Sequence, residues 1–162
     1  MAGSERVIVN ASPLIVLFKS QFDGLLGQLW DQVAVPDGVW SEVAMGADDV
    51  ARRLAGATWA RRVEAPAIPA LVAGWDLGVG ESEVLSLALQ GGGGRVIIDD
   101  AQARRCAKVL GIPFIGTGGL LVLAKRRGLI PSVGASLATV ERSGLWISRD
   151  VRDMLLRAAG EA

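Results

Sequence analysis

The chain has 162 residues, a length sufficient for one domain with a substantial core, and it contains no histidine. The missing histidine excludes Ser-His-Asp triads, Cys-His pairs and imidazole bases, and the single cysteine, Cys106, excludes intrachain disulfides and cysteine-rich zinc sites. Because 17 basic and 17 acidic residues balance, any contact with a polyanion must be local.

Short apolar runs alternate along the chain with segments of helical spacing. Strands are predicted at residues 6–9, 33–35, 58–63, 95–98, 112–115 and 146–147. Helices are predicted at residues 14–20, 22–30, 39–43, 48–55, 81–90, 101–110, 120–127, from 129 onward, and at 150–159. Ser12 and Pro13 introduce the first helix as its N-cap and first-turn proline, and Ser148 or Arg149 introduces the last.

Buried strands separated by helices predict an α/β fold: a single domain over residues 1–162, with a central parallel β-sheet flanked by helices on both faces. The segment 58–63 alternates in polarity, which is typical of an edge strand, and Pro66 and Pro69 predict a loop after it.

The N-terminus lacks a signal-peptide pattern, because Glu5 and Arg6 directly precede the first short strand. Apolar runs stay well short of the roughly 18 to 20 residues of a membrane span. We therefore expect a cytoplasmic protein without a membrane segment.

Acidic and amide side chains occur where ligands bind in open α/β sheets, at the carboxyl ends of strands. Asp99 and Asp100 follow the strand at 95–98, and Asn10 follows the first strand. Glu42 and Glu81 lie near the starts of predicted helices. These residues predict an acidic cluster whose hard oxygen ligands suit Mg²⁺ or Mn²⁺.

Each of these residues also has a purely structural interpretation. Asp99 and Asp100 are typical of a helix N-cap and a first-turn acid, and Asn10 is typical of an Asx cap. Glu83 favours a helix N-terminus through its charge. Cys106 is predicted to pack on an apolar helix face.

Other features indicate packing or solvation more than chemistry. The tryptophans are predicted as core or interface anchors, and the basic run 125–127 as a solvated face that could also contact RNA. The glycines at 91–94 precede a strand, whereas a dinucleotide-binding loop must follow one. A response-regulator receiver is rejected because its acid pair belongs after the first strand.

Several strings resemble the PIN-domain superfamily, in particular a bacterial and archaeal branch related to VapC toxins. They occur in order along nearly the whole chain: VNASPLI at 9–15, GESE at 80–83, IDDAQAR at 98–104, GTGGL at 116–120 and AKRRGLI at 124–130. The resemblance implies a PIN-like fold and a metal-dependent endoribonuclease that hydrolyses RNA phosphodiesters, with the toxin of a toxin-antitoxin pair as one role. It also implies a homodimer and an antitoxin-like protein partner.

The resemblance places the catalytic acids at specific residues of this chain. The metal ligands for Mg²⁺ or Mn²⁺ are expected at Asn10, Glu42, Glu81 and Asp99, with Asp100 as an alternative to Asp99. The expected substrate contacts are Ser12, Arg104, Thr117 and Lys125, of which Arg104 and Lys125 would bind backbone phosphates.

Asn10 departs from the acid expected after the first strand. An amide offers a neutral oxygen, so the affinity for a divalent cation should fall. The alternative hypothesis is therefore a catalytically weak or inactive PIN-like module that binds RNA or another protein.

Overall fold

The computed structural model describes residues 5–46, 48–90 and 93–162, and its strands form one parallel sheet. In the described residues the sheet has five strands in the order β3-β2-β1-β4-β5. They are β1 (Arg6–Val9), β2 (Gln32–Pro36), β3 (Ala60–Val63), β4 (Arg95–Ile97) and β5 (Phe114–Ile115). Val7, Ile8 and Val9 are completely buried although successive strand residues point to opposite faces. Both faces are therefore covered, and the predicted α/β fold with a parallel sheet is confirmed.

Helices connect and cover the strands. Within the described ranges they are α1 (Ala11–Lys19), α2 (Gly24–Leu29), α3 (Asp37–Gly46), α4 (Asp48–Ala55), α5 (Ala70–Ala73), α6 (Val79–Gln90), α7 (Ala101–Val109), α8 (Thr117–Arg126), α9 (Val133–Arg142) and α10 (Arg149–Ala158). None of these helices is long and apolar enough to cross a membrane.

Several helices begin earlier than the sequence predicts, among them α1, α6 and α8. α1 starts directly after Asn10, so the predicted N-cap at Ser12 is wrong, whereas Pro13 lies in the first turn as predicted. α6 and α8 start at Val79 and Thr117, and the glycines that signalled loops lie inside them. At Gly118 the reason is packing, because a methyl group there would lie only 2.5 Å from Leu155 Cδ1 of α10.

The predicted strand at 146–147 is wrong. Trp146 is 83% exposed, and the segment leads into α10, whose N-cap Ser148 accepts a hydrogen bond from the N–H of Val151. Trp30 is buried as expected for a core anchor. Cys106 is completely buried, which confirms its packing role. The edge position of β3 is also confirmed.

The order of the strands creates a crevice at the carboxyl edge. Connections from β1 lead outward through β2 to β3, whereas β4 returns to the other side of β1. Ligands in open α/β sheets bind where the order reverses in this way. Val9 pairs with Ile97, so Asn10 and Asp99 follow neighbouring strands at this point.

Candidate metal and nucleic-acid site

Asn10 presents an unpartnered oxygen at the crevice. The residue is only 2% exposed, and its Oδ1 has no hydrogen-bond partner among the described residues. It occupies the N-cap position of α1, but its side chain makes no capping bond, so the predicted Asx cap is wrong. A buried acceptor without a donor is costly in a folded protein, and its usual explanation is a bound ion, water or ligand.

Gly80 allows the Asn10 and Glu42 oxygens to approach one point. A methyl group at position 80, in the first turn of α6, would lie 3.2 Å from Glu42 Oε1 and 3.4 Å from Asn10 Oδ1. Glu42 comes from α3, so the two oxygens and the start of α6 meet although they are distant in sequence. The structure thus brings two of the predicted ligands together.

Glu81 adds a second carboxylate beside Glu42. Loss of hydration raises the pKa of Glu42, and the negative charge of Glu81 raises it further. Glu81 Oε2 accepts a hydrogen bond of 2.9 Å from the N–H of Gly78, just before α6. The carboxylates of Glu42 and Glu81 are therefore close enough to repel each other.

Asp99 lies at the same edge but is held toward β5. Its Oδ2 accepts a 2.6 Å hydrogen bond from the Thr117 hydroxyl, and its Oδ1 accepts one of 2.8 Å from the Thr117 N–H. Thr117 is completely buried at the start of α8. These two bonds fix the orientation of the Asp99 carboxylate, and each oxygen retains a further lone pair.

Asp100 has a different function from its neighbour. Its Oδ2 accepts a 2.9 Å hydrogen bond from the N–H of Ala103, and it is the N-cap of α7. The capping interpretation is therefore confirmed for Asp100.

The predicted substrate contacts separate into two groups. Ser12 lines a pocket together with Asp99, and the Arg104 guanidinium lies 5.3 Å from the centre of the Phe114 ring. A side-chain carbon at position 116 would lie 3.0 Å from Asp99 Oδ1 and 3.8 Å from an Arg104 nitrogen, so Arg104 is also near the crevice.

Lys125 lies elsewhere. It is eight residues beyond Thr117, about 12 Å along the axis of α8. Its Nζ donates to Glu161 Oε2 at 2.8 Å and to the carbonyl of Ala159 at 2.9 Å. The structure does not bring Lys125 to the crevice.

A pocket of about 270 Å³ extends from Asp99 along α1 and was not predicted. Its α1 wall consists of Ser12, Ile15, Val16 and Lys19, and the turn 143–145 after α9 forms the other wall. The helical spacing of these four α1 residues was visible in the sequence, whereas the approach of the turn was not.

The sequence analysis assigned Glu83 only to a helix N-terminus, and the burial of this residue is a second feature that it missed. It is only 7% exposed, and its Oε2 has no hydrogen-bond partner in the described part of the chain. The carboxylate contacts Gly38 in the first turn of α3, the helix that carries Glu42. Burial raises the pKa of Glu83, the N–H of Gly38 opposes this rise, and the charge of Asp37 adds to it. The position of Glu83 among the apolar residues of α6 was the available signal.

The donor set suits a hard cation, although it is small. Within residues 5–46, 48–90 and 93–162, no three acidic or cysteine side chains are grouped so as to hold a metal ion. Asn10, Glu42 and Glu81 provide one amide oxygen and two carboxylates, which is oxygen ligation of the type used by Mg²⁺ and Mn²⁺. The unpartnered Asn10 oxygen and the repulsion at Glu42 are both relieved by a cation, so these residues fit one.

Comparison with known proteins identifies the family of the chain. The search of curated proteins gave no match. The model of a family described as a PIN domain, DUF3368, matches residues 6–161. PIN domains have a nuclease-like fold and are generally metal-dependent ribonucleases. Because the match spans almost every residue, the chain belongs to the PIN-domain family DUF3368.

Proposed function

We propose that the protein is a metal-dependent endoribonuclease with its active site at the carboxyl edge, between β1 and β4. The observation that carries the proposal is the buried, unpartnered oxygen of Asn10 beside the Glu42 carboxylate. Membership of a PIN-domain family supports the reaction class.

In this proposal the metal is Mg²⁺ or Mn²⁺, held by Asn10, Glu42 and Glu81, with Asp99 supplying a further oxygen from the neighbouring strand. A bound cation of this kind supplies Lewis-acid polarisation of a phosphodiester and lowers the pKa of water. No protein nucleophile is needed, which agrees with a chain that has no histidine. Thr117 orients Asp99, and Ser12 and Arg104 contact the RNA.

Charge supports this assignment of ligands. Glu42 and Glu81 repel each other, and this repulsion contributes to the raised pKa of Glu42. A divalent cation held by these residues would offset the repulsion and would favour the ionised form of Glu42. Metal affinity should therefore decrease as pH falls.

The proposal is tested by cleavage assays with single-stranded and structured RNA, each carried out in Mn²⁺, in Mg²⁺ and in chelator. Glu42→Gln is expected to abolish metal-dependent cleavage. It should also abolish the rise in melting temperature that Mn²⁺ produces, because a bound ligand stabilises the folded state. Glu64→Gln is the matched control, since Glu64 is exposed and follows β3 outside the site. Cleavage that persists in chelator, or that survives Glu42→Gln, contradicts the proposal.

A second candidate is an RNA-binding PIN domain without catalysis. Two observations favour it: Asn10 is neutral, and the described residues contain no group of three acids. Asn10→Asp distinguishes the candidates. If wild type binds RNA without cleaving it and Asn10→Asp cleaves, the missing charge explains the inactivity and the second candidate is correct.

A toxin role related to VapC, an antitoxin-like partner and a homodimer are finer parts of the proposal that rest on the family resemblance. Induced expression in bacteria tests the first of them. Wild type is expected to arrest growth and Glu42→Gln to allow it, whereas equal growth of both strains contradicts a toxin role.

A further inference from the structure

We propose that the pocket between α1 and the turn 143–145 is a subsite for one unstacked nucleotide of single-stranded RNA, with Lys19 contacting its phosphate. The inference rests on the proposed function in one respect, because it takes Asp99 as the end of the pocket that faces the scissile phosphate. It adds a nucleotide pocket beside Asp99 and a residue, Lys19, that positions the strand.

One face of α1 forms the pocket wall. Ser12, Ile15, Val16 and Lys19 are spaced at i, i+3, i+4 and i+7, which places them in one stripe. Ser12 and Lys19 lie about 10 Å apart along the helix axis. The wall therefore begins with a hydroxyl beside Asp99, continues with two apolar side chains and ends with a cation.

The opposite wall is a tight turn after α9. Gly144 has a φ of +116°, a conformation that favours glycine, and it brings Leu145 opposite the α1 stripe. Ile15 and Leu145 are partly buried and leave apolar surface facing the pocket. A nucleobase has an apolar face that can pack against such a surface.

The size of the pocket limits the ligand. About 270 Å³ is slightly below the usual range for small-molecule pockets, so it admits roughly one nucleotide. A base inside a duplex is stacked and paired and cannot enter without being extruded. We therefore infer selection for single strands.

Lys19 supplies the charge that a phosphate requires. It is exposed at the last turn of α1, and none of the acidic groups in the described ranges forms an ion pair with it. The other cations near α1 differ, since Arg53 is bonded to Asp23 and to the Phe18 carbonyl. Without a bound cation Asp99 repels an anion at the opposite end, so in chelator the phosphate of this nucleotide belongs at the Lys19 end.

Lys19→Ala tests the subsite in a binding assay that does not depend on cleavage. The probe is a short fluorescein-labelled oligouridylate, titrated by fluorescence anisotropy in chelator at several salt concentrations. We expect the affinity to fall roughly five- to tenfold. The slope of log K against log salt should become less negative by about 0.7, the value for one phosphate contact on a single strand. A labelled RNA duplex should bind Lys19→Ala and wild type equally.

Lys108→Ala is the matched control, because Lys108 occupies the last turn of α7 and does not line the pocket. Equal oligouridylate affinities for the two variants overturn the subsite, as does a wild type that does not bind the probe. If wild type fails to cleave RNA but Lys19→Ala alone loses affinity, the subsite is supported and the nuclease proposal fails. If wild type cleaves and the variants bind alike, the nuclease stands without this subsite.

Discussion

At the scale of single residues, Gly80 determines how closely the proposed ligands approach. Gly80→Ala adds a methyl group 3.2 Å from Glu42 Oε1, so the Glu42 side chain must shift by a few tenths of an ångström, and the same methyl group would touch Asn10 Oδ1 at 3.4 Å. We expect metal-dependent cleavage to fall roughly 10- to 100-fold with little change in melting temperature, because small displacements of metal ligands are costly. Cleavage kinetics and thermal unfolding measure the two effects.

Gly24→Ala is the control for this prediction. Gly24 begins α2, and a methyl group there meets no atom within 4 Å. Its cleavage rate should equal that of wild type, and helix propensity should make it as stable or up to about 1 kcal/mol more stable. If Gly80→Ala also cleaves at the wild-type rate, the catalytic site does not lie beside residue 80.

The two neighbouring aspartates should respond differently to substitution. Asp100→Asn retains the N-cap of α7 and is expected to cleave RNA normally, whereas Asp99→Asn removes a charge at the crevice and should reduce cleavage at least about tenfold. Asp100→Ala loses the cap and should destabilise the protein by about 1 kcal/mol in urea unfolding. The opposite pattern, with Asp100→Asn inactive and Asp99→Asn active, would identify Asp100 as the ligand.

The raised pKa of Glu42 predicts a pH-dependent stability difference. Burial and the charge of Glu81 keep Glu42 protonated to a higher pH in the folded protein than in the unfolded chain, where its value is near 4.5. The free energy of unfolding therefore decreases as pH rises through this interval. Glu42→Gln does not lose stability in this way, so in chelator it should be more stable than wild type near neutral pH and equally stable below pH 4.5. Equal stability at neutral pH would contradict the assigned repulsion.

Sequence alone located these residues better than it assigned their functions. Asn10 and Asp99 were identifiable because each follows an apolar strand. The roles of Asp99 and Asp100 could not be distinguished, since the difference arises from the contact of Asp99 with Thr117 of α8. The contacts of Lys125 could not be inferred for a similar reason: its helix was recognised, but its Glu161 partner lies 36 residues away.

At the scale of helices and strands, the helix boundaries that could be predicted were those determined by neighbouring residues in the sequence, such as a capping side chain. α4 spans the predicted residues, and Ser148 caps α10. The starts of α6 and α8 were misplaced because glycine usually signals a loop, whereas Gly80 and Gly118 lie inside helices beside close neighbours. Such contacts depend on tertiary packing, which a local pattern does not encode.

Glu161 links two helices and gives a second pH prediction. Its carboxylate accepts hydrogen bonds from Lys125 of α8 and from the N–H groups of Gly134 and Val133 at the start of α9, and these bonds lower its pKa to about 2. The stabilisation is complete above pH 4.5 and is lost as pH falls from 4.5 to about 2. Glu161→Gln should therefore be less stable than wild type at neutral pH, and the difference should shrink on acidification.

Denaturant unfolding at several pH values measures this difference, with Glu64→Gln as the control because Glu64 is exposed. A constant gap between Glu161→Gln and wild type down to pH 2 would contradict a role for the ionised carboxylate.

At the scale of the whole molecule, the sheet order determines where the proposed site lies. Alternation of strands and helices predicted a parallel sheet, but it did not specify that β4 returns beside β1. That reversal opens the crevice between Asn10 and Asp99, and it depends on long-range pairing rather than on any local pattern.

The distribution of charge over the whole molecule predicts that RNA binding depends only weakly on salt concentration. The net charge is zero, and the basic run 125–127 is occupied within the protein by Glu161 and by the carbonyls of Ala158 and Leu29. Lys19 and Arg104 are then the cations placed at the crevice and its pocket. Because each can neutralise one phosphate, binding of a single strand should release the counterions of about two phosphates. We expect a slope of log K against log salt of about −1.4 for oligouridylate in chelator. A slope steeper than about −4 would require a much larger basic surface and would place the RNA outside this crevice.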